Sequence, residues 1–253
     1  ACARKARSEQ ELTMRATTSW LIVLLLAGSF AALAQTAGSG NIAIAVAALS
    51  FVFVFGLWFM YRNFSMHGTL SRAIAVGEPS EVFALLGTKP PRRIGLRGAM
   101  PLVLYQVMAL DQQGKFEDAL ALLAAHPLLP SAQRWQRLAS FVSAGIMAHT
   151  DPAAGRALWQ RSNATGPMLP RSPEQIMATM ADGRLRLAQG DGAGAIEVLL
   201  PLTRNVLLGP APRGMAHHVL AEAYAAAADT ANAEAHRTQA QKLGGKLWFN
   251  VAA

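Results

Sequence analysis

The chain has 253 residues, of which 52% are apolar and only 15% charged, with 23 Lys and Arg against 15 Asp and Glu for a formal net charge of +8. That balance is too apolar for an ordinary soluble domain, and a single cysteine, Cys2, excludes a disulfide framework and a thiolate metal site. The basic excess is spread out and does not cluster with stacking aromatics, so a nucleic-acid partner is not expected, whereas a surface near anionic lipid headgroups suits it.

Residues 1–16 form a basic N-terminal tail with Arg4, Lys5, Arg7 and Arg15, and Met14, the first methionine, is a candidate natural start. Cys2 is read as part of this flexible tail. From Arg15 to Arg62 no charged residue occurs. Within that run, residues 41–61 supply 21 uncharged residues ending in Trp58, Phe59 and Tyr61 before Arg62. About 20 apolar residues suffice to cross a bilayer, and aromatics followed by a basic flank mark its interface. Residues 17–34 are read in two ways. They form either a first membrane helix, joined to the second through 35–40 as a hairpin, or a signal peptide cleaved after Ala32-Leu33-Ala34. The hairpin reading places small residues at Ala27, Ala31, Gly28 and Ala32 on one helix and at Ala43, Ala47 and Ser50 on the other, where close packing needs them. Basic residues flank both outer ends, from Arg4 to Arg15 and from Arg62 to Arg97, so the part beyond residue 61 is expected on the cytoplasmic side. The implied location is the cytoplasmic membrane of a bacterium.

The first 15 residues hold four basic and two acidic side chains, which leaves 19 and 13 for residues 62–253, an ordinary charge content. This part contains a recurring pattern. The segments "AVGEPSEVFALLG" (75–87), "QQGKFEDALALLAAHP" (112–127), "AHTDPAAGRALWQ" (148–160), "AQGDGAGAIEVLL" (188–200) and "AAADTANAEAHRT" (226–238) each place a turn before an amphipathic helix. Aligned on Gly77, Gly114, Thr150, Gly190 and Ala228, the turns are spaced by 37, 36, 40 and 38 residues. A helical stretch precedes each turn. Fixed periods of this size are the mark of repeat architectures.

The pattern resembles the tetratricopeptide repeat family in degenerate form, over roughly residues 68–244. The family's unit is a helix–turn–helix of 34 residues with small residues where the two helices cross. In the first helices that position falls on Val107, Ser143, Gly183 and Ala221, and in the second on Ala119, Gly155, Ala195 and Ala233. Val107 is larger than the family prefers, its aromatic after the turn is kept only at Phe116, and the one late in the first helix only at Tyr224. The resemblance implies an all-α fold: an N-terminal transmembrane helix or hairpin (17–61) followed by an α-solenoid over 62–244 and an apolar C-terminal tail over 245–253. The unit at Gly77 would take its first helix directly from the membrane span. A solenoid buries apolar faces by stacking each unit on the last, and in this family the face lined by first helices binds partner segments. Arg137, Arg184, His218 and Glu222 fall on the corresponding outward positions and are the candidate partner-binding residues. Trp248 and Phe249 in the tail would either dock a partner or cap the last helix.

No chemistry-bearing motif was found. "GDGAG" (190–194) has the composition of a phosphate loop, but a helix precedes it where a dinucleotide fingerprint needs a strand. His217 and His218 diverge by about 100° on a helix and no Cys or carboxylate completes a ligand set. Asn163-Ala-Thr165 matches a glycosylation acceptor that a cytoplasmic domain would not use. The sequence therefore predicts a membrane-bound interaction or scaffold protein, with no catalysis, cofactor or metal. Its expected partners are the bilayer and protein subunits, in complex assembly or as an accessory subunit of a respiratory or photosynthetic complex, and no small-molecule substrate.

Overall fold

The computed structural model describes residues 40–87, 99–126, 133–205 and 208–251. The expected helix over 17–34, its reading as a cleaved leader, and the basic tail lie outside these residues. Every element among the described residues is helical: α1 (Gly40–Val76), α2 (Pro79–Leu86), α3 (Ala99–Gln112), α4 (Phe116–Ala124), α5 (Gln133–Met147), α6 (Pro152–Asn163), α7 (Pro173–Ala188), α8 (Gly192–Thr203), α9 (Pro210–Ala226), α10 (Thr230–Gly244) and the four-residue α11 (Trp248–Val251). The chain divides into two compact units, Ala1–Gly68 and Thr69–Ala253.

In the first unit, α1 takes up the whole uncharged run from Gly40 onward. Its described side chains begin at Ser50. Phe51, Val52, Phe53, Phe55, Leu57 and Tyr61 are all exposed, the first three at 61%, 67% and 66%. At 3.6 residues per turn their directions cover most of the helix circumference. Phe51 stacks on Phe55 at 6.1 Å and Phe55 meets Trp58 at 5.7 Å. Among the described residues, no helix is long and apolar enough to cross a membrane.

In the second unit the helices pair as α3–α4, α5–α6, α7–α8 and α9–α10, and each first helix also packs on the next one, α3 on α5, α5 on α7 and α7 on α9. The local reasons recur from pair to pair. Pro opens α2, α6, α7 and α9, where its missing N–H costs nothing and its φ is already helical. Asp151, Asp191 and Asp229 accept from the N–H three residues on and cap α6, α8 and α10. Four turns share one geometry. Gly77, Gly114, Gly190 and Ala228 have φ of 76°, 73°, 82° and 60°, and the next residue's N–H donates to the carbonyl five residues back at 2.9 Å, Glu78 to Ala73, Lys115 to Leu110, Asp191 to Arg186 and Asp229 to Tyr224. This is a Schellman-type ending, which favours glycine. The turn at Thr150 closes differently, with Asp151 N–H donating to Met147 O at 2.8 Å.

The helix crossings are closed by small residues. Ala119, Ala195, Ala221 and Ala233 are buried. A Cβ on Gly183 would lie 2.3 Å from Leu199, and one on Gly155 2.9 Å from Leu185. Leu199, Leu220, Met215 and Leu247 centre one apolar cluster, and Val103, Val107, Ala119 and Ile146 another.

Candidate protein-interaction face

The first helices α3, α5, α7 and α9 together form the inner face, and this is where a partner-binding surface was expected. Much of it is filled by the chain itself. Leu70 and Ala73 of α1 are fully buried, and Ile74 O accepts from Gln112 Nε2 of α3 at 2.8 Å. A Cβ on Gly209 would lie 2.5 Å from Ala75, so the end of α1 also lies against the start of α9. The C-terminal segment completes the filling. Leu247 is fully buried, Lys246 Nζ pairs with Glu78 at 2.6 Å on the surface, and Trp248 and Phe249 lie among groups from three hairpins.

Trp248 meets Phe116, His149 and His218 edge-on at 5.7, 5.7 and 5.1 Å. Phe249 stacks on His218 at 4.3 Å and His149 stacks on Phe116 at 4.1 Å. Gly114 permits this approach, because a Cβ there would stand 3.0 Å from Trp248 Cβ. The tail thus reaches past the last helix to the turn of the first full hairpin. Capping alone does not describe it.

The charged candidates are placed as follows. Arg184, expected to face outward, is buried and forms a two-pronged ion pair with Asp111 of α3, at 3.1 Å for each nitrogen, while Nη1 also approaches Gly145 O at 3.4 Å. Fork-to-carboxylate pairing is the strong geometry for arginine, and here it fastens α7 to α3. Arg137 donates to Gly166 O and Pro167 O and lies over the Phe141 ring at 5.8 Å. It therefore holds the loop between α6 and α7. Glu222 is exposed, with Oε1 3.3 Å from His218 Nε2 but without hydrogen-bond alignment. The outward position follows from the repeat resemblance, which does not record that Asp111 lies 73 residues earlier.

Burial sets the histidine chemistry. It is the first cause lowering His218 to about 4, aided by Arg184, His149 and Arg237. His149, exposed as a residue but with its ring under Phe116, is lowered to about 4 by burial and Arg184, against the pull of Asp111. Both rings are therefore neutral and aromatic at neutral pH. Although Glu222 is exposed as a residue, partial desolvation by the groups around its carboxyl raises it. On the far side of α9, His217 and His236 face each other Nδ1 to Nδ1 at 2.8 Å, one donating and one accepting. Among the described residues no group of three or more His, Cys, Asp or Glu could hold a metal ion.

Behind Leu247 lies a small cavity of about 70 Å³, walled by Met108, Met177, Met180, Met215 and Phe141, with Arg184, Asp111 and Gln112 as its polar end. Gln112 Oε1 and Arg184 Nε are buried there without hydrogen-bond partners, as is Trp248 Nε1 nearby. No motif in the sequence marks this cavity. Methionine spacing on α3, α7 and α9 is the signal that could have found it. Against known proteins, no family model, no curated protein and no solved structure matches the chain.

Proposed function

We propose that this is a membrane-anchored, tetratricopeptide-like helical scaffold that binds a protein partner at the cytoplasmic face and acts in complex assembly without catalysis of its own. The observation that carries the anchor is α1: Phe51, Val52, Phe53, Phe55, Leu57 and Tyr61 are exposed over most of its circumference, with Ser50 and Val54 buried, in a helix that runs through an uncharged stretch. A helix apolar all round needs a protein core or a bilayer about it. The scaffold part is supported by the recurring turn geometry and the small residues at the crossings. The basic residues after Tyr61 support the cytoplasmic side.

A second reading, a permanent accessory subunit of a larger membrane complex, draws on the aromatic ladder Phe51, Phe55 and Trp58, which a neighbouring span could cover. Mild detergent extraction followed by affinity purification separates the two. The scaffold reading expects partners in less than equal amounts that exchange with added competitor. Stoichiometric, non-exchanging subunits favour the second reading. A chain that purifies alone from its native membrane, at every detergent tried, contradicts both.

A further inference from the structure

We propose that the inner face is a recognition site for a short aliphatic–aromatic–aromatic peptide segment, that Leu247-Trp248-Phe249 occupies it in cis, and that a partner enters by displacing this tail. The proposal deepens the scaffold reading and rests on it for its biological setting.

The tail has the contacts of a ligand. It follows Gly245, at φ 55°, and its hydrogen bonds stay local: Leu247 N–H donates to Gly244 O, Asn250 N–H to Leu247 O, and Asn250 Nδ2 to Gln241 O and Gly245 O. A four-residue helix has no stability of its own, and the Lys246–Glu78 pair is exposed at 64% and 39% and contributes little. What holds the segment is side-chain burial: Leu247 in the apolar cluster, Trp248 in the box of Phe116, His149 and His218, and Phe249 on His218. Release therefore breaks ring contacts and one surface ion pair and exposes the fully buried Leu247, with no backbone ladder to unzip.

The fit in cis is incomplete at five polar atoms. Trp248 Nε1, Asn250 Oδ1, His218 Nε2, Gln112 Oε1 and Arg184 Nε are all buried without hydrogen-bond partners, and each such group carries a desolvation cost. Gln112 Oε1 calls for a donor and Arg184 Nε for an acceptor, which the N–H and C=O of a peptide chain supply together. The methionines behind Leu247 can repack around a bulkier aliphatic residue, because their side chains are unbranched and flexible. These features select a peptide partner whose anchors match the tail and whose backbone reaches the polar end of the cavity.

The test uses the full chain in detergent micelles and a fluorescent peptide of sequence GGKLWFNVAA, read by anisotropy, with a scrambled peptide as control. A tethered tail competes at an effective concentration on the order of millimolar. Wild type should therefore bind the peptide about 100-fold more weakly than the double variant Trp248→Ala/Phe249→Ala, whose own tail is disarmed. Adding His218→Ala to that variant should abolish the gain. If the double variant keeps a cooperative helical melt yet binds no peptide at millimolar concentration, the tail is a fixed part of the core and the proposal is wrong. Loss of the cooperative melt in the double variant overturns it equally. Peptide capture with no protein partner in the purification above would sink the scaffold reading and leave this site standing.

Discussion

Two stretches of α1 answer the same apolar composition in opposite ways. Between Phe51 and Tyr61, Phe51, Val52, Phe53, Phe55, Leu57 and Tyr61 stand exposed while Val54 is buried, whereas Leu70 and Ala73 are fully buried against the stacked hairpins. Leu and Ala of the second stretch are ordinary core residues spaced for one face. Phe, Val, Leu and Tyr of the first leave no polar face at all. Apolar content alone would merge the two. Circumference separates them: a globular core needs one stripe, whereas the lipid anchor proposed above would need apolar side chains on every side.

The sharpest way to break this contrast is to cut a side chain from each stretch. Leu70→Ala should lower the stability of the stack by about 2–5 kcal/mol, seen as a fall in its melting temperature by circular dichroism. Phe53→Ala, at an exposed site, should leave that melt where it is. Equal losses would mean that both stretches serve one core.

Acid should separate the first stretch from the stacked hairpins next. Residues 41–60 contain nothing titratable, whereas His218 is held neutral with its pKa lowered to about 4, mainly by burial and then by Arg184, His149 and Arg237. The rings of Trp248 and Phe249 and the Glu222 carboxyl also face it. Because the unfolded chain takes up the proton first, near pH 6.5, this contribution is intact above 6.5 and is lost progressively as the pH falls towards 4. On the order of 2–3 kcal/mol of stack stability should disappear across that window. His149 and His217, also lowered to about 4 with burial as the first cause, add to the same slope, so His218→Gln should reduce it without abolishing it, and an unchanged slope in that variant would argue against the neutral His218 ring.

Glycines sharpen the comparison further. Gly183→Ala puts a methyl 2.3 Å from Leu199 and should cost about 1–3 kcal/mol by overpacking. Gly56→Ala, with nothing within 4 Å, should leave the melt of the stack unchanged. The smallest effect concerns the turns. Ala228 sits at φ 60° where Gly114 and Gly190 stand in the equivalent turns, so Ala228→Gly should gain up to about 1 kcal/mol and Gly190→Ala should lose a similar amount. Effects of the same sign would mean that the two turns are not equivalent.

Much of the hairpin pattern was legible because it is local. Turn residues 36–40 positions apart, capping aspartates and small crossing residues all act within one hairpin, so periodicity exposes them. The inner face was not legible. Glu78 meets Lys246 168 residues on, Ile74 meets Gln112, and Arg184 finds Asp111. Each pairing depends on how many hairpins intervene and how they turn, which no local pattern records. Trp248 and Phe249 could be singled out as an apolar ending, but not as residues returning to Phe116 and His149.

The central claim is that the all-round apolar part of α1 is anchored in lipid while the hairpins fold outside it. Alkaline carbonate extraction of membranes carrying the full chain tests this most directly. The account predicts that the protein stays in the pellet with the lipid, and that a Phe53→Arg/Leu57→Arg variant, each charge costing about 2.5–3.5 kcal/mol at the centre of a span, moves substantially to the supernatant. Release of the unaltered chain by carbonate, in the way of a peripheral protein, would contradict it.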